Sequence, residues 1–320
     1  MTGSAGRADE RRPILLLVNP AAGGKLGSGP DLADDPALLE PDALADALRA
    51  RSLSLTLRVL TEADDVRALA AQAAREGSDV VVAGGDGTVG QAAAGLAGTD
   101  AALGILARGS FNNVAHGFGV PRRLDGAVEV IARGVASAMD VGVAQRGAGS
   151  GAAGGEGEEH LFFEAAGVGL DAAGFGAVEL GERRGWWRGL RSLIRALRLR
   201  RRAMRVSIDG HAYRTRAPAV TVCNGPYLGM GFAVADDADP ADGLLDVAIF
   251  SGMSRWEVLR HFARVARGAR RREPRITRRQ GRVVTVQAVH GVLPAHADGR
   301  SIGLTPVTFS VRPGALRVFR

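Results

Sequence analysis

Up to about residue 135, short continuous apolar runs alternate with stretches whose apolar residues recur at helical spacing. Residues 14–18, 79–83 and 102–106 are short, mostly apolar segments, the second opening on Asp79 and the third holding Gly104, bounded by turn residues in the pattern of strands buried on both faces. Residues 53–60 alternate like a half-buried strand. Between them, Leu44, Ala45 and Leu48, then residues 63–76, then an Ala-rich stretch starting near Val89, predict helices. Strands alternating with helices predict an open, doubly wound α/β domain with a mostly parallel sheet, whose ligands lie beyond the strand carboxyl ends.

After Asp140 the rhythm changes. Residues 141–145 and 160–165 read as paired strands around a Gly/Ala/Glu-rich insert, 146–159. Short alternating runs follow at 204–208, 213–216, 219–223, 245–250, 282–287 and 307–311, the spacing of an antiparallel, sandwich-like β domain. Residues 1–12 read as a disordered lead-in.

Three loops carry the chemistry of the first domain. Gly84, Gly85, Asp86, Gly87 and Thr88 follow one predicted strand, and three glycines in four positions let a phosphate approach backbone N–H groups at a helix start. A carboxylate in such a loop would repel phosphate, so Asp86 makes sense where a divalent cation or a proton transfer employs it; a plain strand-to-helix turn is the alternative. Asn19-Pro20 with Gly23 and Gly24 ends the first strand, and Gly109, Ser110, Phe111, Asn112 and Asn113 end another, so all three loops fall on one sheet edge.

Together with residues 166–172, 219–225, 239–246, Asp298-Gly299 and 311–316, these loops resemble the diacylglycerol-kinase-like lipid kinases, a family that includes sphingosine kinases and bacterial soluble lipid kinases. The resemblance runs from Ile14 to Phe319. It implies a nucleotide domain over residues 13–139, to which 302–320 returns, and a lipid-substrate domain over 140–301, with ATP and lipid meeting in a cleft. It places Asn19, Thr61, Gly84 to Thr88, Gly109, Ser110 and Asn112 at ATP, Asp86 near the Mg2+-bound phosphates, and Asp298 as the base that takes the lipid hydroxyl's proton. A structural Mg2+ would be held by Asp239, Asp242 and the main-chain oxygen of Leu244. Five carboxylates lie between Asp236 and Asp246, hard oxygen ligands at a density that suits such an ion; a solvated acidic turn is the alternative. From the dipeptide alone, Asp298-Gly299 reads equally well as an exposed turn.

The chain departs from the family pattern in several places, the third loop among them, where Ala107-Arg108-Gly109-Ser110 stands for the usual Pro-x-Gly-Thr and Ser110 keeps a hydroxyl. Gly90 and Gln91 stand where Asn and Glu are usual, Asn113 where an Asp often follows the loop Asn, and Arg300 where the closing phrase usually has Glu. A catalytically degenerate lipid- or nucleotide-binding pseudokinase therefore stays open, as does an NAD kinase-like enzyme sharing the Gly-Gly-Asp-Gly loop.

Composition narrows the partners. One cysteine, Cys223, excludes a disulfide framework and Cys-cluster metal sites. No 18-residue apolar run occurs, and no signal-peptide core follows the polar first residues, so a cytoplasmic protein is expected. Net charge is +7, and Lys25 is the only lysine among 41 basic residues, so an anionic partner is expected. At 100° per residue, Trp186, Leu190, Leu193, Ile194 and Leu197 share one side of a predicted helix; Arg184, Arg188, Arg191, Arg195, Arg198 and Arg202 share the other. That basic face predicts reversible docking to the inner, anionic face of a membrane. A second Arg-rich helical stretch spans 255–282. No helix-turn-helix, zinc-finger or aromatic RNA-binding signature accompanies the arginines, so no nucleic acid is expected, while a homodimer stays open.

Overall fold

The structure is a computed structural model and describes residues 11–22, 40–147, 157–170, 202–228, 232–265 and 273–320. The chain divides into two compact units, Met1–Ala138 with Leu316–Arg320, and Met139–Ala315.

The first unit is an α/β layer. Its parallel strands β1 (Ile14–Val18), β2 (Leu55–Val59), β3 (Asp79–Gly84) and β4 (Ala102–Ala107) lie in the order β2-β1-β3-β4. The central strands are the continuous apolar runs, buried along nearly their whole length, whereas edge strand β2 alternates and is largely exposed. The helices are α1 (Pro41–Arg49), α2 (Val66–Arg75), α3 (Asp86–Leu96), the short α4 (Asn113–Gly117) and α5 (Leu124–Arg133). Pro41 sits at the start of α1, and the Asp65 side chain caps α2 by accepting from the Ala68 N–H at 2.9 Å. A Cβ on Gly95 would lie 2.4 Å from the Arg67 carbonyl oxygen, so α2 and α3 pack closer than any side chain there would allow. Helix α3 begins at Asp86, three residues before the expected start. The phosphate-loop residues Asp86, Gly87 and Thr88 are thus its first turn.

The second unit is an antiparallel sandwich. Its strands are β5 (Ala136–Arg146), β6 (Glu159–Phe162), β7 (Ala165–Gly169), β8 (Arg202–Ile208), β9 (His211–Ala217), β10 (Ala219–Cys223), β11 (Tyr227–Leu228), β12 (Phe232–Ala233), β13 (Leu245–Ile249), β14 (Thr277–Gly281), β15 (Val283–Ala288), β16 (Pro294–Ala297), β17 (Arg300–Leu304) and β18 (Val307–Phe319). One layer runs β18-β15-β8-β9, with β5 beside β18 and β6 beside β5; the other runs β14-β13-β10-β7-β16-β17. Side chains from both layers fill one apolar core, among them Phe162, Val206, Val284 and Phe309 from the first and Val168, Val222, Val247 and Ile302 from the second. The alternate residues of the second layer, Ala165, Ala219, Cys223 and Ala248, face a separate cluster with Phe250, Met253 and Val258 of helix α6 (Arg255–Val265). The central strands β7, β10 and β13 of that layer are therefore buried on both sides, which explains why they read as nearly continuous apolar runs. The last residues of β18 pair in the first unit, Arg317 opposite Ala102 and Val318 opposite Leu103.

Two helical expectations change. Arg202 is the first residue of strand β8, paired with Ala217, and not the end of a basic helix. Arg184, Arg188, Arg191, Arg195 and Arg198 lie outside the described residues. Of the stretch 255–282, only Arg255–Val265 is described as helix, and Arg278 and Arg279 belong to β14.

Candidate active site

Because β1 to β4 are parallel, the loops after them leave one sheet edge, and the structure knits three of these loops together. The Asn19 N–H donates to the Ala83 carbonyl at 2.9 Å, and its side-chain Nδ2 donates to Thr88 Oγ1 at 2.9 Å. Asn19 Oδ1 accepts from the Ala21 N–H, which fixes the turn that leaves β1. Asn19 and Thr88, 69 residues apart, thus hold the first loop against the first turn of α3.

The second and third loops meet backbone to backbone. A Cβ built on Gly109 would lie 2.6 Å from Gly85 Cα and 2.9 Å from Asn112 Oδ1, so neither partner can shift cheaply. Asn112, in the left-handed region at φ 52°, brackets Gly109: its Oδ1 accepts from the Gly109 N–H and its Nδ2 donates to the Gly109 carbonyl, both at 2.8 Å. Asn tolerates this conformation better than other residues with side chains. A Cβ on Gly84 would lie 3.0 Å from the Thr88 side chain, whereas one on Gly87 would meet none of the described residues within 4 Å. Of the three loop glycines, Gly87 alone therefore opens onto space free of the described residues.

Asp86 does not point its charge into that space unaccompanied. Its Oδ1 accepts from the Val114 N–H at 3.0 Å, at the start of α4. Burial raises its pKa, and the N–H groups of Val114, Asn113 and Asn112 oppose the rise. This carboxylate locks the second loop to the third. Thr61 ends the segment after β2, where its N–H and Oγ1 both donate to Asp64 Oδ2 at 2.8 and 2.9 Å. Those contacts and the ion pair with Arg58 hold the Asp64 pKa down at about 2. Ser110 is exposed.

In the second unit Asp298 sits on the turn between β16 and β17 at φ 43°. Its Oδ2 accepts from the Phe163 N–H at 2.7 Å, and its Oδ1 from the N–H groups of Glu164 and Ala165 at 2.9 and 3.1 Å. Burial pushes its pKa up to about 6 even though these three donors, and His296 nearby, favour the anion. Asp298 is thus held by the backbone and is not the exposed turn that its dipeptide alone would allow.

Two residues that the sequence did not mark as functional complete this region. Asp140, 2% exposed, accepts at Oδ2 from the Gly243 N–H at 2.6 Å and at Oδ1 from the Gly314 N–H at 2.7 Å. Asn224, 1% exposed, donates to the Asp140 carbonyl at 3.1 Å, and its N–H donates to the Glu164 carbonyl at 3.0 Å. Asn224 stood in a recognisable phrase. The partners of Asp140 are main-chain groups 103 and 174 residues away, which no side-chain pattern announces.

In the acidic loop, Asp239 and Asp242 lie close enough for their charges to act on one another. Asp239 Oδ1 accepts from the Ala241 N–H and Asp242 Oδ1 from the Leu244 N–H, leaving each Oδ2 outside these turns. Burial raises the Asp242 pKa, and the negative charges of Asp239 and Asp140 raise it further. Mutually repelling carboxylates beside a main-chain carbonyl are a donor set that fits a hard divalent cation completed by water. Among the described residues no group of three or more His, Cys, Asp or Glu side chains is placed to hold a metal, so the set rests on two carboxylates and the Leu244 carbonyl.

Comparison with known proteins agrees with both units. Residues 13–144 match the model of the diacylglycerol kinase catalytic domain, and residues 168–320 that of the YegS C-terminal NAD kinase beta sandwich-like domain. The chain is 30% identical over 281 residues to a Mycobacterium tuberculosis protein named "Diacylglycerol kinase", covering 85% of this chain and 87% of the relative. It is 30% identical over 315 residues to a "Probable lipid kinase YegS-like" protein of Pseudomonas savastanoi pv. phaseolicola, covering 97% and 93%. The fold matches the crystal structure of a diacylglycerol kinase from Bacillus anthracis str. Sterne with a TM-score of 0.69 at 20% identity, over 97% of each chain. The knitted glycine loops of an α/β unit, followed by a sandwich that buries a carboxylate against main-chain donors, are thus those of the diacylglycerol kinase family of lipid kinases, phosphotransferases acting on an alcohol group, to which this chain belongs.

Proposed function

We propose that this chain transfers the γ-phosphoryl group of ATP, with Mg2+, to the hydroxyl of a membrane lipid of the diacylglycerol type, a sphingoid or related lipid being the other acceptors to test. The observation that carries the reading is the cradle at the carboxyl edge of the parallel sheet, in which Asn19, Thr88, Gly85, Gly109 and Asn112 fix three loops around the open side of Gly87.

In this reading the first turn of α3 directs N–H groups at the triphosphate, and Gly87 leaves the room in which it lies. Ser110 and Thr61 stand on the same edge. Asp86 is a positioning residue: through Val114 it fixes the third loop relative to the second. Mg2+ that arrives with ATP would neutralise charge on the phosphates, the usual manner of its binding in kinases. The lipid hydroxyl oxygen attacks the γ-phosphorus, the bond to the β,γ-bridging oxygen breaks, ADP leaves, and the hydroxyl proton passes to Asp298. Oδ2 of Asp298 accepts one N–H against two at Oδ1, so it is the oxygen with room for that proton. A pKa of about 6 leaves the carboxylate ionised at neutral pH while bringing it closer to the hydroxyl it must deprotonate. Asp239, Asp242 and the Leu244 carbonyl would hold a second, structural Mg2+. Reversible association with an anionic membrane, through the arginines between 184 and 202, would bring the enzyme to its substrate.

The test is purified protein with labelled ATP and Mg2+, offered diacylglycerol, sphingosine and NAD in parallel. Label on diacylglycerol that is lost in Asp298→Ala, with ATP binding retained, supports the proposal. Label on NAD overturns it in favour of an NAD kinase. ATP binding without transfer to any acceptor overturns it in favour of a pseudokinase. The departures at Gly90, Gln91, Asn113 and Arg300 motivate that last arm, and Gln91 spends its amide on the Gly87 carbonyl at 3.2 Å.

A further inference from the structure

In the layer β18-β15-β8-β9, Met204, Val206 and Ile208 of β8 point into the sandwich core, so Arg205 points outward. The register sets Arg205 directly opposite Arg214 of β9, and Ala203 opposite Arg216. Three guanidiniums therefore share one exposed sheet face. The other outward positions of these two strands are Ala203, Ser207 and Ala212, and β15 adds Thr285 and Gln287, so no carboxylate stands among them. Asp209, at the turn between β8 and β9, is occupied by the N–H groups of Arg282 and Val283.

Two like charges directly opposite on adjacent strands destabilise a sheet. Here the repulsion is uncompensated by any acidic neighbour on these strands, and it would be relieved by an external anion. A cavity of about 340 Å³ opens at the end of the same pair of strands, lined by Arg202, Ala203, Arg216 and His290. The loop that carries His290 is tied to β8 by the Val289 N–H, which donates to the Ala203 carbonyl at 2.9 Å. That loop also exposes two valines, Val289 at 39% and Val292 at 52%. Guanidiniums, a recess with ample room for a phosphate and exposed apolar residues beside it are the complement of a bilayer surface, with charge at headgroup level and hydrocarbon below.

We propose that the outward face of β8 and β9 is a docking surface for anionic phospholipid in a bilayer, with a headgroup phosphate seated between Arg202, Arg216 and His290. The consequence rests on the lipid-kinase reading. The product of that transfer is a lipid phosphomonoester, so turnover would enrich the membrane in the charge that holds the enzyme on it.

The test uses the full chain and two kinds of vesicle, phosphatidylcholine alone and phosphatidylcholine with a minority of phosphatidate. Wild type is expected to sediment with the mixed vesicles and to be released by high salt. Arg205→Glu with Arg214→Glu should weaken that binding by about tenfold or more, although the arginines from 184 to 198 remain. Arg205→Gln separates docking from folding: it removes the like-charge pair, so its melting temperature should equal or exceed that of wild type while vesicle binding falls. Sedimentation of the double variant at the wild-type level overturns the proposal. So does tight binding of soluble glycerol phosphate or RNA through the same arginines without uptake on vesicles. Sedimentation requires no turnover. Protein that binds mixed vesicles but phosphorylates no lipid keeps this surface and defeats the kinase reading, and the reverse result defeats only the surface.

Discussion

In the first unit the candidate site is made by omitting side chains: a Cβ at Gly109 would collide with Gly85 Cα at 2.6 Å, and one at Gly87 would enter open space. In the second unit the site is made by burying charge, since Asp298 collects three main-chain N–H groups and Asp140 two. The first arrangement suits a ligand that brings its own charge, because backbone dipoles bind phosphate without a counter-ion that must later be released. The second suits a group that must change its protonation, because main-chain donors fix the carboxylate in place while burial brings its pKa up towards neutral. The two halves can therefore be broken separately, one by adding a methyl group and the other by removing a charge.

The largest effect is expected at Asp298. Asp298→Ala should reduce lipid phosphorylation by about 10²–10⁴-fold, the usual contribution of a positioned base, with ATP binding kept. The pH dependence gives a second readout. With a folded-state pKa of about 6, above the unfolded value, the acid limb of the rate profile should fall near pH 6. Stability should move the other way. The folded protein binds more protons than the unfolded chain between the two pKa values, so the Asp298 contribution becomes more favourable as pH falls through 6 towards 4 and is lost as pH rises. Asp298→Asn should abolish both trends. An unchanged acid limb in that variant would remove Asp298 from the proton transfer.

Asp140 provides the contrast within the same unit, a buried carboxylate with no proposed chemistry. Asp140→Ala strands the Gly243 and Gly314 N–H groups and should lower stability by about 3 kcal/mol in denaturant titration. Asp140→Asn, which keeps one acceptor, should lose about half of that. Activity measured on the folded fraction should change far less than for Asp298→Ala. Equal kinetic damage at both positions would mean that Asp298, too, acts by holding the fold.

Gly109 and Gly87 make the corresponding pair in the first unit. Gly109→Ala forces two backbones apart and should destabilise by about 1–3 kcal/mol. Gly87→Ala adds a methyl group where none of the described residues lies within 4 Å, so stability should stay within about 0.5 kcal/mol while ATP affinity falls tenfold or more. An alanine at Gly87 that leaves ATP affinity intact would place the triphosphate elsewhere.

What could be read in advance follows from the same contrast. The strands of the first unit were legible because a buried parallel strand is a continuous apolar run, and its loops because glycine clusters are local in sequence. Strand β14, Thr-Arg-Arg-Gln-Gly, was not legible, since its pairing is supplied by Leu245–Ile249 and not by its own composition. The spacing of Arg202 from Arg198 is helical, whereas its pairing with Ala217, remote in sequence, makes it a strand residue. The start of α3 at Asp86 is hidden in the sequence because Gly and Asp read as turn formers, although Gly85 adopts extended N-cap geometry just before the helix begins. Asp298 could be named from its motif, but what shifts it towards neutral is burial against the backbone of residues 163–165, more than 130 positions away.

The smallest effect is expected where the second unit clusters charge instead of isolating it. Asp239 and Asp242 each satisfy one oxygen with a local N–H, and the repulsion among Asp239, Asp242 and Asp140 adds to the burial that raises the Asp242 pKa. A divalent cation would relieve that repulsion in the folded state only, because the unfolded chain does not hold the two carboxylates and the Leu244 carbonyl together. Stabilisation then follows the ratio of free ion to dissociation constant, about 1 kcal/mol at a few-fold excess of Mg2+. Chelation should therefore lower the unfolding midpoint modestly, and Asp239→Asn with Asp242→Asn should erase the response to Mg2+ while leaving the Asp298-dependent acid limb in place. A wild-type midpoint indifferent to chelator would make this loop an ordinary acidic turn, and would leave Asp298 and Asp140, each held by main-chain N–H groups, as the carboxylates through which the second unit can be tested.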